Sequence, residues 1–308
     1  MIEAILYSLA GLVGLAVGGE LLVRGSVSIA QRLGVSNLVT GLVIVGFATS
    51  MPEMVASIEA ALAGSPGIAW GNVVGSNLAN TLLILGATAL VMPIALSGTG
   101  RRDAIVALVA SLGLWALTAA QIGSIWVGIG LLLGILAYIY WRYNHPHSDV
   151  GDDEDEPEAQ TALTFSIVLF LGGLGLLVFG GQLLVSGAMD MARIFGVSET
   201  AIGLTVVAIG TSLPELAASI AAAVRGKPGL AIGNVVGSNI YNILLIGGAT
   251  MTIAPFAIPA DLLTYELALL ALSAVAFLAL VARAKQIGRA MGAILLIAFT
   301  ANIVIAFS

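Results

Sequence analysis

Two glutamates, Glu53 and Glu215, lie in the middle of long apolar stretches, 162 positions apart. Thr49, Glu53 and Ser57 are spaced i, i+4 and i+8, so they share one face of a helix, and Thr211, Glu215 and Ser219 repeat that face. A second stripe, Asn72, Ser76 and Asn80, returns as Asn234, Ser238 and Asn242. Pro52 and Pro214 immediately precede the glutamates. Proline has no N–H, so the carbonyls of Ala48 and Gly210, four residues earlier, lose their helical donors. The chain has no cysteine, and its two histidines, His145 and His147, share one polar stretch. The oxygens left for chemistry are carboxylate, hydroxyl, amide and backbone carbonyl. That set suits hard cations: Ca²⁺ with about 6–8 ligands, Mg²⁺, or Na⁺. Two carboxylates balance one Ca²⁺ or two Na⁺, and a site able to accept either load is a basis for antiport.

The elements that hold these residues are membrane helices. The 308-residue chain is 59% hydrophobic and 9% charged, with a mean hydropathy of +1.08. A soluble domain carries about 25% charged residues, and the few basic residues argue against nucleic-acid binding. A span needs about 20 apolar residues. Ten candidates follow, at 3–24, 38–63, 68–92, 104–121, 124–141, 163–185, 200–224, 230–254, 262–282 and 288–306. The first begins Met1-Ile2-Glu3 with no basic flank or cleavage motif, so it reads as a retained helix. Arg32, Arg101, Arg102, Arg142, Arg225, Lys227, Arg283, Lys285 and Arg289 fall on one side of this arrangement. Arg193 is the loop exception, and Arg24 lies in or at the end of the first span. Positive-inside orientation then puts both termini outside and the 142–162 loop in the cytoplasm.

Residues 11–93 align without a gap on 173–255, with 44 of 83 pairs identical. Gly34-Val35-Ser36 returns as Gly196-Val197-Ser198. Gly71-Asn72-Val73-Val74-Gly75-Ser76-Asn77 returns unchanged as Gly233 to Asn239. Each copy holds five spans, an odd number, so successive copies enter the membrane in opposite directions. The expected fold is therefore an all-α integral membrane protein of ten transmembrane helices in two inverted five-helix repeats. Its divisions are 1–143, an acidic linker at 144–161, and 162–308. Secondary transporters commonly use inverted repeats and bind substrate near the midplane on interrupted helices. Duplication without functional content is the bland alternative, but it does not explain why the best-matched segments are polar.

A charged carboxylate inside a membrane is costly unless paired or hydrated, and no basic residue occupies the centre of any span. Protonated, hydrogen-bonded glutamates are the structural alternative. Serine and asparagine also serve helix packing, and any one of them alone reads that way. Four matching stripes, two bearing glutamate, point to a site, and they must face one another because lipid solvates none of them.

At these residues the chain resembles the calcium/cation antiporter superfamily, specifically its sodium/calcium exchangers. Ala48-Thr49-Ser50-Met51-Pro52-Glu53 and Gly210-Thr211-Ser212-Leu213-Pro214-Glu215 are similar to the family's G-T-S-x-P-E signature. Gly71–Asn77 and Gly233–Asn239 are similar to its third- and eighth-helix signature. The resemblance covers essentially the whole chain. It implies exchange of Na⁺ for Ca²⁺, usually three for one, by alternating access, with no enzymatic activity and no cofactor. It implies central ligands at Glu53 and Glu215, and hydroxyl and carbonyl ligands at Thr49, Ser50, Thr211 and Ser212. Ser76, Ser238, Asn80 and Asn242 match contributors from helices 3 and 8, and Gly46 and Ala208 match carbonyls facing the ions. Helices 1 and 6 resemble the family's sliding pair. Ala48 departs from the signature glycine. Asn242 occupies a position where potassium-dependent relatives carry Asp, which implies independence of K⁺.

Other marked residues read more plainly. Glu20 and Arg24 form an i, i+4 pair, and Glu59 reads as a solvated helix end or an entrance residue. Residues 149–158 hold seven acids and no EF-hand pattern, and read as a disordered linker. Without them the net charge of −6 becomes +1. The rival functions are a Ca²⁺/H⁺ antiporter and a channel. Proton-coupled relatives tend to carry Glu-His where this chain has Ser76-Asn77 and Ser238-Asn239. An intramembrane hydrolase would need a Ser/His or Asp pair that the spans lack. The expected partners are Ca²⁺, Na⁺ and the bilayer. The expected setting is a prokaryotic plasma membrane, with the chain working as a monomer.

Overall fold

The computed structural model describes residues 1–96, 100–145, 162–195, 208–263 and 265–306. Residues 146–161 of the linker, the Gly196-Val197-Ser198 motif and residues 200–207 of the seventh expected span lie outside that set. The described chain is almost wholly helical. It comprises α1 (Ile2–Leu33), α2 (Asn37–Thr49), α3 (Met51–Leu62), α4 (Pro66–Val91), α5 (Arg101–Ala119), α6 (Ile125–Asn144), α7 (Leu163–Ile194), α8 (Ala208–Gly210), α9 (Leu213–Val224), α10 (Pro228–Ile253), α11 (Glu266–Arg283) and α12 (Arg289–Ala306). Among the described residues, seven helices are long and apolar enough to cross a membrane, and α2 with α3, bent by 44°, counts as an eighth if taken as one span. The shorter α9 and α12 occupy the places of the seventh and tenth expected spans.

Local sequence explains the boundaries. Pro66 and Pro228 open α4 and α10, where a missing N–H is harmless. Gly64 and Gly226, both at φ 71°, make the matching left-handed turns before them. The bend between α2 and α3 falls at Ser50 (φ −81°, ψ 3°), two residues before Pro52, and Ser212 (φ −91°, ψ 6°) repeats it. Two features carry no compositional signal. α1 and α7 continue well past the expected ends at 24 and 185, to 32 residues each. Turns of π-helix at Thr40–Val45, Ala79–Ile84 and Asn242–Ile246 interrupt α2, α4 and α10. The latter two begin beside or at Asn80 and Asn242, and π turns recur at functional sites. A two-residue antiparallel pairing, Ile94–Ala95 with Gln286–Ile287, was also unforeseen.

Among the described residues, α1 and α7 form the most extensive helix–helix contact. Glycines recur every seven residues on both, at 11, 18, 25 and at 173, 180, 187. A Cβ on Gly18 would sit 2.8 Å from Leu177 N, and one on Gly180 would sit 2.9 Å from Leu15 N. Such contact is how helices without a hydrophobic drive associate in lipid. The remaining helices pack around a core that includes Leu38, Leu42, Trp70, Val73, Val236 and Ile240. At its edge, Asp103 and Arg142 form a buried ion pair at 3.0 Å, and Tyr138, itself part of that core, donates to Asp103 at 2.8 Å, joining α5 to α6. Glu20 pairs with Arg24 at 2.7 Å as expected, and also with Arg225 at 3.4 Å, bridging α1 to the end of α9. Glu59 is exposed.

Candidate functional site

The two helix breaks lie against each other. Glu53 and Glu215 each occupy the first turn of a helix, α3 and α9. Both are 2% exposed, although each is a carboxylate in an apolar protein. A serine at a helix start normally caps its own helix. Ser50 and Ser212 do not. Ser50 Oγ donates to Glu215 Oε1 at 3.4 Å, and Ser212 Oγ donates to Glu53 Oε1 at 3.3 Å. Each repeat thus orients the other repeat's carboxylate. The second oxygen of each, Oε2, is buried and has no hydrogen-bond donor among the described residues. Neither glutamate has an ion-pair partner there; the cations of the described ion pairs go to Glu20 and Asp103.

Further oxygens surround this pair. Thr49 is fully buried; its single hydroxyl proton is shared between Val45 O at 3.0 Å and Asn234 Oδ1 at 3.3 Å. Ser238 Oγ and Asn242 Oδ1, both buried on α10, have no partner among the described residues. Ser76 and Asn80 are their buried counterparts on α4. Gly46 lies in α2, close to α10, where a Cβ would sit 3.2 Å from Ser238 N, and its carbonyl accepts the Ser50 N–H at 3.1 Å. Ala208 opens α8. Thr211 borders two cavities. One, of about 170 Å³, is lined also by Pro52, Gln182, Gly210 and Pro214. The other, of about 480 Å³, reaches Asn72 and Ser76. The Ala48 departure has a steric reason: a Cβ on Gly210 would run into the Val185 side chain, whereas Ala48 fits, 5% exposed.

Sequence reasoning treated Asn72 and Asn234 only as stripe members. They clamp the site. Asn72 Nδ2 donates to Glu53 O at 3.1 Å and Ser57 Oγ at 2.8 Å. Asn234 Nδ2 donates to Glu215 O at 3.2 Å and Ser219 Oγ at 2.9 Å. The i+4 alignment of Asn72 with Ser76, beside the Glu53–Ser57 face, was the available signal.

The two halves differ in how they close. On α10, Cβ atoms at Gly233 and Gly237 would collide with the backbone of α2; Leu42 O lies 2.8 Å from the latter. On α4, Cβ atoms at Gly67, Gly71 and Gly75 meet no described atom within 4 Å, because this stripe lines the larger cavity. One face of the site is sealed by helix packing and the other is open.

The chain's matches agree with this architecture. The family of sodium/calcium exchanger proteins matches at residues 3–147 and 165–308. The putative antiporter CaxA of Alkalimonas amylolytica is 39% identical, over 97% of both chains. The sodium/calcium exchanger MaX1 of Methanosarcina acetivorans is 30% identical, over 98% of both. The solved sodium–calcium exchanger NCX_Mj, soaked with zero Na⁺ and Ca²⁺, superposes with a TM-score of 0.85 at 31% identity, covering 98% of each chain. A chain matched along nearly its whole length by the family and by such relatives is a transporter rather than an enzyme: it belongs to the sodium/calcium exchanger family.

Proposed function

We propose that this chain exchanges Na⁺ for Ca²⁺ across the membrane by alternating access, electrogenically and without K⁺. The observation that carries the reading is the crossed pair: two buried glutamates, each held through one oxygen by the other repeat's serine, each with a second oxygen lacking a donor. A cation supplies what those oxygens lack. One Ca²⁺ neutralises both carboxylates, and Na⁺ ions take the same oxygens in its place. Glu53, Glu215, Thr49, Thr211, Ser50, Ser212, Ser76, Ser238, Asn80 and Asn242 form the proposed ligand set, with the carbonyls of Gly46 and Ala208. A third Na⁺ on neutral oxygens makes the exchange electrogenic. The amide of Asn242, where a carboxylate would add charge, supports independence of K⁺.

Residues 1–143 and 162–308 act as the two inverted repeats around the 144–161 linker. The distribution of arginine and lysine supports termini outside and a cytoplasmic linker, and the shortness of the segment between the repeats supports a prokaryotic plasma membrane. In that orientation the open α4 stripe faces outward and the sealed α10 stripe inward. One chain holds a complete set of ligands, which supports a working monomer.

The test is ⁴⁵Ca²⁺ uptake into proteoliposomes with imposed Na⁺, K⁺ or H⁺ gradients. Uptake should require internal Na⁺, respond to membrane potential and ignore K⁺. Uptake driven by H⁺ and indifferent to internal Na⁺ would make the protein a Ca²⁺/H⁺ antiporter and reject the proposal.

A further inference from the structure

α12 carries three polar side chains: Arg289, Thr300 and Asn302. Arg289 Nε bonds Leu90 O at 3.2 Å, and Thr300 Oγ1 bonds Leu296 O in its own helix at 3.0 Å. The Asn302 amide makes no hydrogen bond among the described residues. An amide without a partner is costly in hydrocarbon, but Asn302 is only partly exposed and lines the 480 Å³ cavity with Phe299 and Ile303. The cavity has a wedge shape. α12 and α4 meet where a Cβ on Gly292 would lie 2.7 Å from Gly86 O. They part toward Asn302 on one wall and Gly71, Asn72 and Gly75 on the other. Ser76 and Thr211, two members of the ligand set, border the same space.

We infer that Asn302 is a specificity-determining residue on the path to the site: its amide oxygen takes an arriving Na⁺ or Ca²⁺ in exchange for a hydration water and passes it toward Thr211 and Ser76. The inference rests on the ion-exchange reading above. An amide oxygen is a hard donor suited to both ions, and it stands in the one polar break of an otherwise apolar wall. The arrangement is one-sided. α6, the last helix of the first repeat, has no asparagine or glutamine before Asn144, whose amide is bonded to Tyr140 O at 2.8 Å. Among the described residues, ions arriving from the opposite face therefore meet no equivalent amide on α6.

The experiment uses N302A, N302D and N302C in the full chain, reconstituted in liposomes. The protein has no cysteine, so N302C carries its single thiol. The side from which an impermeant thiol reagent labels it identifies the cavity side, and Ca²⁺ should slow that labelling. N302A should weaken apparent Ca²⁺ affinity about three- to tenfold from that side, since water partly replaces a lost ligand. Affinity from the other side should hold. N302D should strengthen Ca²⁺ relative to Na⁺ on the cavity side. Equal weakening on both sides would mark Asn302 as a packing residue and overturn the inference, as would unchanged affinity in both variants. Wild-type protein that moves no Ca²⁺ would instead reject the exchange reading, so the two failures are distinguishable.

Discussion

Gly75 and Gly237 are the same residue of the same motif in the two repeats, and the structure gives alanine opposite consequences at them. At Gly237 a Cβ would lie 2.8 Å from Leu42 O, 2.9 Å from Leu42 Cα and 3.2 Å from Leu42 C. All three are backbone atoms of α2 and cannot rotate away. Overpacking of this kind costs about 1–3 kcal/mol, against about 0.8–1 kcal/mol gained by replacing glycine with alanine in a helix. Gly237→Ala should therefore fold with stability equal to wild type or lower by up to about 2 kcal/mol. At Gly75, which is exposed to the cavity, nothing opposes the helical gain. Gly75→Ala should raise Tm in detergent by about 2–4 °C. Transport should move the other way. If the two stripes exchange roles during alternating access, Gly75 must reach the packing that Gly237 now has. A clash of about 1–3 kcal/mol in that second conformation corresponds to roughly a 5- to 150-fold loss of exchange rate. The assay pairs thermal unfolding with Na⁺-driven ⁴⁵Ca²⁺ uptake. A Gly75→Ala protein that exchanges at the wild-type rate, or a Gly237→Ala protein stabilised as much as Gly75→Ala, would refute the reasoning.

Two further outcomes follow from named contacts. Ser50→Ala and Ser212→Ala each remove the hydroxyl that orients the opposite repeat's glutamate, so each should weaken Ca²⁺ binding about tenfold without unfolding the protein; isothermal titration checks this, and unchanged affinity would deny the crossed arrangement a role. Asp103→Ala strands a buried Arg142 and should destabilise the protein by about 3–5 kcal/mol, seen as a lower unfolding temperature, while the Ca²⁺ affinity of the folded fraction stays unchanged.

The parts visible in the sequence are those where membrane physics penalises the residue. Glu53 and Glu215 stood out because lipid tolerates no bare carboxylate, and the 162-residue offset paired them. Pro52 and Pro214 marked the breaks, which the structure puts at Ser50 and Ser212. Relations between repeats were not legible. Whether Ser50 serves Glu53 or Glu215 depends on how two inverted halves stack, and spacing within one helix holds no trace of that. The π turns at Asn80 and Asn242 arise from packing rather than composition, so periodicity at 3.6 residues passed over them. The lengths of α1 and α7 were underestimated because hydropathy stops at the bilayer core while the helix continues; their seven-residue glycine spacing was present in the sequence but is meaningful only once the two helices are seen to be partners. Asn302 was overlooked for a related reason. One amide in an apolar helix is unremarkable until its cavity is known.

The central claim is that Glu53 and Glu215 together form one cation site shared by the two ions. It is tested most directly by measuring equilibrium ⁴⁵Ca²⁺ binding and its displacement by Na⁺ in Glu53→Gln and Glu215→Gln, each confirmed as folded by its unfolding transition. The account predicts that either substitution alone abolishes Ca²⁺ binding, because each removes one of only two charges that balance the ion. A folded variant of either kind that binds Ca²⁺ with wild-type affinity, and releases it to Na⁺ as before, would contradict the account.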